Sequence, residues 1–351
     1  MYRGLAAFFL CFDALDTGNE TDPPPALGLP SGPFDIPLVV QDKQLDANGQ
    51  LVFDSFEHDG FLGDKFLING AIQPFFNVKR RKYRFRFLNG SNARIYQLFL
   101  TDESGQSYPM TQIATEGGLL SRPVQRPSFM LAMAERIEVV IDFSQFPQKT
   151  TALYIENRLA QDNGRGPGGD FDNPDLVRPG TRLLKFVLQE TVTDSRRVPD
   201  VLRPFTPISA TELAHAVVKN FEFDRSDGAW TINGQLVDLT RPLVAPSREG
   251  VGEIWRLKNG GGGWWHPIHG HLEFGRVITR NGRTPFGGGR GDHGQSLEQD
   301  GVAKKDTFLL GPDDEVEVFF RFRDYPGPFV FHCHNLEHED MAMMARFDVT
   351  S

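Results

Sequence analysis

The chain has 351 residues, too many for one ordinary core and suited to two domains of typical size. A formal net charge of -9 at pH 7 argues against nucleic acid as a partner, and no run reaches the roughly 18 apolar residues that cross a bilayer as a helix. Two cysteines, Cys11 and Cys333, provide no disulfide framework, while 36 glycines, 24 prolines and 30 phenylalanines point to a loop-rich, strand-dominated protein with an aromatic core.

The chain opens on Met1-Tyr2-Arg3 and an apolar run over residues 5–12. No small-residue cleavage site precedes the acidic Asp13-Ala14-Leu15-Asp16, so the run reads as a buried strand rather than a signal peptide, and Cys11 within it as a buried, inert thiol. A weak repeat then organises the chain. Ile68-Asn69-Gly70, Tyr83-Arg84-Phe85-Arg86-Phe87-Leu88-Asn89 and the segment 135–143 recur, in the same order, as Ile232-Asn233-Gly234, Glu253-Ile254-Trp255-Arg256-Leu257-Lys258-Asn259 and the segment 314–322. The alternation of Tyr83, Phe85 and Phe87 with Arg84 and Arg86 is that of a half-buried strand, and each half is expected to be a β-sandwich.

The basic run Lys79-Arg80-Arg81-Lys82 reads as the solvated start of a strand, with no function attached. Residues 163–179, rich in glycine, are expected to form an exposed loop of the first half. The polar stretch 189–216, with Pro199, Pro204 and Pro207, suits a linker and puts the boundary near residue 196. A second long loop is expected over residues 282–306, around Gly287-Gly288-Gly289.

Six of the nine histidines fall in two short windows, which sets them apart from the lone histidine that usually serves structure. The first window reads Trp264-Trp265-His266-Pro267-Ile268-His269-Gly270-His271, and the second His332-Cys333-His334-Asn335-Leu336-Glu337-His338-Glu339-Asp340-Met341-Ala342-Met343-Met344. On a strand, His332 and His334 point one way and Cys333 the other, so one strand can serve two metal sites. His269 and His271 share a face, whereas His266, ahead of a proline, can send its ring elsewhere. A cysteine thiolate, two imidazoles and a distant thioether suit a copper ion that changes oxidation state, and neither Cys-x-x-Cys nor His-Glu-x-x-His spacing supports zinc.

These two motifs, His-Pro-x-His-x-His and His-Cys-His-x-x-x-His with a trailing methionine, resemble the C-terminal signature of the multicopper oxidases. Within that family the chain is most similar to the bilirubin oxidase and spore-coat laccase branch, through His332-Cys333-His334-Asn335-Leu336, His338-Glu339-Asp340 and Met343-Met344. Gly60-Phe61-Leu62-Gly63-Asp64 and the Tyr83 to Asn89 segment resemble its middle domain. The resemblance implies an all-β fold of two cupredoxin-like Greek-key β-sandwich domains, over about 17–195 and 196–351, preceded over 1–16 by a remnant strand of a third. It also implies a laccase-like copper oxidoreductase. His266, Cys333, His338 and axial Met343, with Met341 and Met344 as its nearby rivals, would hold the type 1 copper. His269 would serve the type 2 ion, His271, His332 and His334 the type 3 pair, and Glu339 would deliver protons.

Complete members carry two further His-x-His motifs in an N-terminal domain. This chain has neither, and His58, His215 and His293 stand isolated, so only half of the trinuclear ligands are present. The implied partners are a small phenolic or tetrapyrrole reductant, dioxygen in the complete enzyme, and an N-terminal domain fragment, without membrane or nucleic acid. The implied location is extracellular or periplasmic. Two functions follow: an oxidase whose oxygen-reducing cluster needs that fragment, or a truncated mononuclear copper-binding or electron-transfer protein. Electrons are expected to arrive through an exposed edge of His266 or His338, with Trp264 either lining the approach or packing.

Overall fold

The computed structural model describes residues 1–54, 56–194, 196–284 and 303–351. The fold is all-β, as expected. Strands between Asp35 and Thr191 form an eight-stranded and a six-stranded sheet, and strands between Val217 and Thr350 form two five-stranded sheets. Each pair of sheets closes on its own aromatic core, Phe85, Phe87, Phe129 and Phe186 in the first half and Phe221, Trp255, Phe320 and Phe331 in the second. The glycine-rich loop expected around Gly287 and the isolated His293 lie outside the described residues.

The internal repeat has a physical basis in two asparagines per half. Asn69 and Asn233 each take a positive φ (51° and 54°) ahead of a glycine, a geometry that asparagine and glycine tolerate best. Each also clamps the adjacent strand: Asn69 accepts from Val39 N and donates to Pro37 O, and Asn233 accepts from Glu222 N and donates to Asn220 O. The second repeat block is the inner strand of its sheet in both halves. Lys82–Asn89 lies between parallel Asp35–Leu45 and antiparallel Arg136–Asp142, and Gly252–Asn259 between parallel Val217–Ser226 and antiparallel Glu315–Arg321. Asn89 and Asn259 end these strands and each donates to two backbone carbonyls outside them, Arg94 and Leu131 in one half, Trp264 and Gly311 in the other. Asn259 thereby pins the loop that leads into the first histidine window.

Several expectations fail. Residues 5–12 form no strand: among the described residues their backbone pairs with no strand, and Phe9 is 93% exposed. Cys11 is exposed as well. The basic run is solvated only at Lys79: Arg80 is buried and donates to the carbonyls of Phe146 and Thr150, and buried Arg81 donates to Glu20. Arg84 and Arg86, assigned to a wet face, are buried against Asp16, Asp35 and Glu138, so both faces of that strand are covered. The 163–179 loop is only partly exposed, since Arg165 O accepts from Trp265 N of the second half at 2.7 Å.

The two halves meet closely around Gly60. A Cβ there would lie 2.5 Å from Ala93 Cβ, 2.8 Å from Asn335 Nδ2 and 2.9 Å from Gly164 O, on a backbone with φ of +131°. Gly60→Ala is therefore expected to destabilise the protein by about 1–3 kcal/mol, read as a lower midpoint in urea with an unchanged slope. A neutral result would mean that the junction is slack.

Candidate metal centre

The strand His266–Gly270 pairs antiparallel with Gly327–Cys333 in the register Ile268 to Cys333 and His269 to His332. Residues opposite one another share a face, and residues two apart along a strand share a face. His266, Ile268 and Cys333 accordingly face the core, and His269 and His332 face the other way. The three-residue offset between His266 and His269, an odd number, is what splits one motif between two sites.

A short helix, Leu336–Asp340, capped by Asn335 accepting from Glu337 N, turns the chain back so that His338 rejoins Cys333. Cys333 Sγ lies 3.5 Å from Nδ1 of His266 and 3.5 Å from Nδ1 of His338, and the two Nδ1 atoms are 3.2 Å apart. The centre of a triangle with these sides is about 2 Å from each corner, the length of a metal–imidazole bond. All three residues are fully buried, as is Met343, whose N–H donates to His338 O and whose carbonyl accepts from Cys333 N. Met341 and Met344 are half-buried. Soft sulfur with two imidazoles fits copper, and the donor set therefore fits the ion that the sequence implied.

Hydrogen bonds select the tautomers. The carbonyl of Asp59 can only accept, so the His338 Nε2 atom 3.2 Å away carries the proton and Nδ1 is bare toward Cys333. Burial pushes the His266 imidazole down to about 3 and His338 well below its usual range, and pushes the Cys333 thiol up. Without metal the imidazoles are neutral and the sulfur holds its proton.

On the opposite face, donor atoms of His269, His271 and His332 lie within 4.8 Å of one another, with His271 Nε2 and His332 Nε2 3.3 Å apart. The His334 ring joins them, 5.4 Å from that of His332 and 5.9 Å from that of His269. His269 Nδ1 donates to Asp306 O and His332 Nδ1 to Cys333 O, which leaves Nε2 of both rings bare. Asp306 is held in turn by Arg136 through two contacts, at 3.0 and 2.6 Å. His334 Nδ1 is buried without a hydrogen-bond partner, and burial pushes its pKa down to about 4. His271 is likewise pushed down to about 4, by partial burial first and then by His269 and His332. Burial raises the Glu339 carboxyl, but contact with His332, 3.4 Å away, and the charge of the neighbouring imidazoles hold it below its ordinary value.

The structure thus brings eight of the expected site residues into two clusters on the two faces of one strand pair, with Glu339 beside the second. One expectation is corrected. Neither His266 nor His338 has an exposed edge: Trp230 lies against both rings and Asp59 O of the first half meets His338 Nε2. Sequence reasoning missed Asp59, Trp230, Arg136 and Asp306. All four act from distant parts of the chain; Asp59, Arg136 and Asp306 stood in or beside segments already singled out, but nothing there marked them as partners of the histidines.

The buried imidazoles make the metal-free protein acid-sensitive. The unfolded chain protonates His266 near pH 6.5, whereas the folded one resists to about 3. The unfolded state therefore binds more protons across that window, and stability, complete above it, is lost as pH falls through it by about 1.4 kcal/mol per pH unit for one histidine. His338 adds to the loss with the same sign. Urea unfolding of copper-free protein at pH 7 and pH 5 should show a fall of at least about 2 kcal/mol; equal stabilities would refute the burial argument.

Comparison with known proteins agrees with this geometry. Residues 210–351 match the multicopper oxidase family profile. The chain is 37% identical to the bilirubin oxidase of Albifimbria verrucaria over 99% of its own length and 58% of the relative's. It is 31% identical to a laccase of Bacillus stratosphericus, covering 99% of this chain and 68% of that one. The crystal structure of the McoA multicopper oxidase from Aquifex aeolicus superposes with a TM-score of 0.75 at 28% identity, over 91% of this chain and 66% of that one. The chain therefore spans a little over half of the bilirubin oxidase, with its strand register, donor triangle and sequence all pointing one way, and it belongs to the multicopper oxidase family.

Proposed function

We propose that this chain is the electron-accepting part of a laccase- or bilirubin-oxidase-like enzyme, in which His266, Cys333 and His338, with Met343 as a further ligand, would hold a type 1 copper. The observation that carries the reading is the buried donor triangle, whose sides of 3.2 to 3.5 Å leave room for one metal ion. His269 is assigned to a type 2 ion and His271, His332 and His334 to a type 3 pair, in a cluster completed by histidines from a further polypeptide segment. Bound copper would supply a one-electron acceptor at the first cluster and, at a completed second cluster, reduction of dioxygen to water.

The chain's own residues do the following. Asp59 O keeps the His338 proton on Nε2, and Asp306 O keeps the His269 proton on Nδ1, so that each ring presents a lone pair to its site. Trp230 covers the His266 and His338 rings and excludes water. The strand Gly327–Cys333 joins the two clusters covalently, since His332 and His334 flank Cys333. Glu339, kept ionised beside His332, is a base that can take up a proton and hold it beside the second cluster. Outside the protein the reading assigns a phenolic or tetrapyrrole reductant and dioxygen as co-substrate.

A mononuclear electron carrier is the second reading. It is favoured by the second cluster having four histidines among the described residues, while His58 and His215 are exposed elsewhere. An oxygen electrode separates the two. Copper-loaded chain given a phenolic reductant should consume dioxygen continuously once the missing histidine segment is supplied; a single bleaching of the colour with no dioxygen uptake, with and without that segment, would favour the carrier and defeat the oxidase assignment.

A further inference from the structure

The burial of both type 1 imidazoles raises the question of how an electron reaches them. Trp230 lies with its ring centroid 3.9 Å from that of His338, tilted by 38°, and 5.5 Å from that of His266. It is itself almost fully buried, and its Nε1 has no hydrogen-bond partner, so no polar bond accounts for its placement. Trp264 meets Trp230 edge-on at 5.3 Å and is half-buried, reaching the surface beside the Gly261-Gly262-Gly263 turn. Its Nε1 donates to Asp59 Oδ1 at 3.2 Å, and the Arg165 and Arg225 guanidinium groups flank its ring at 4.6 and 5.3 Å. Arg225 also lies 5.1 Å from the Trp230 ring and pairs with Asp59 at 3.2 Å. The remaining nitrogen of His338 is closed off by Asp59 O, and that of His266 is buried.

We propose that Trp264 and Trp230 form the conduit by which electrons pass from an external reductant to the type 1 site, Trp264 as the docking face and Trp230 as the buried contact to His338. The inference rests on the type 1 assignment above. Its physical ground is that electronic coupling falls steeply across gaps between molecules, and here aromatic rings in contact run without a gap from the surface to a ligand ring. In the step itself one electron leaves the reductant and converts a cupric to a cuprous ion; no bond breaks and no proton moves along the tryptophans. Trp230 is a positioning and coupling group, and Asp59 holds the outer indole against it.

The probe is ferrocyanide, which gives up one electron to become ferricyanide. Its reduction of the copper-loaded chain is followed by stopped-flow loss of the blue absorption, alongside the reduction potential and the quenching of tryptophan fluorescence when cupric ion is added to copper-free protein. Trp230→Leu should slow reduction by about tenfold or more, while Trp230→Phe, which restores an aromatic contact, should recover most of the rate. Both should keep the wild-type blue absorption and potential, which a merely structural role would shift, and both should lose a strongly quenched component of the emission. Should Trp230→Leu lose its colour, Trp264→Leu decides, since it leaves the donors and their cover by Trp230 in place. Wild-type rates in a blue Trp230→Leu or Trp264→Leu protein would overturn the conduit alone. Wild-type protein that stays colourless with copper would overturn the type 1 assignment and the conduit with it.

Discussion

Cys333→Ser, loaded with copper, is expected to lack the intense blue absorption altogether and to bind the first copper equivalent far more weakly. The wild-type sulfur is fully buried between two neutral imidazoles, and burial pushes its pKa up, so the thiolate forms only when the metal takes the place of the proton. A serine hydroxyl in the same position holds its proton much more tightly and offers a hard oxygen in place of soft sulfur. The loss of affinity should exceed the 10- to 100-fold that changes to groups behind the ligands cost, roughly speaking. The copper-free variant should remain folded, since a hydroxyl can donate to Nδ1 of His266 or His338, both 3.5 Å from the sulfur. Circular dichroism checks the fold and an absorption titration checks the metal. A blue Cys333→Ser protein would remove the sulfur from the site.

Phe331→Ala is expected to have the largest effect on stability. Phe331 is fully buried two residues before Cys333, and its ring lies 4.7 Å from Phe221, 5.4 Å from Trp255 and 6.3 Å from both Phe223 and Phe347. It is where the two sheets of the second half touch beneath the metal site. Truncation leaves a cavity among rigid rings that cannot close in, with a cost of about 3–5 kcal/mol. The strand carrying His332 and Cys333 then loses its anchor, so copper affinity should fall together with stability. Thermal unfolding with and without copper measures both. A loss below about 1 kcal/mol would mean that the core repacks and that the strand is held by its neighbours instead.

The repeat was legible because each half reuses the same asparagines for the same tasks, and tasks done by a side chain within its own turn leave a local mark. Asn69 and Asn233 are examples. The sorting of the histidines into two clusters was legible for a similar reason: strand periodicity alone separates His266 from His269 and Cys333 from His332. The failures were non-local. Nothing in residues 5–12 reveals that their backbone will pair with no strand, and nothing in the alternation of Arg84 and Arg86 reveals that Asp16, Asp35 and Glu138 will cover that face. The burial of His338 depends on Asp59, 279 residues away, and on Trp230, whose neighbours in sequence carry no metal ligand. A pattern of residue types reports which face a side chain takes, and only the packed fold reports what covers that face.

The most direct test of the central claim is X-ray absorption fine structure at the copper edge on wild-type protein carrying one equivalent of copper. The second cluster, with His269, His271 and His332 gathered on the other face, is a competing site for that ion. The account predicts one short copper–sulfur distance together with two imidazole shells. A shell of nitrogen and oxygen alone, with Cys333 still reduced, would place the first ion among the other histidines and contradict it.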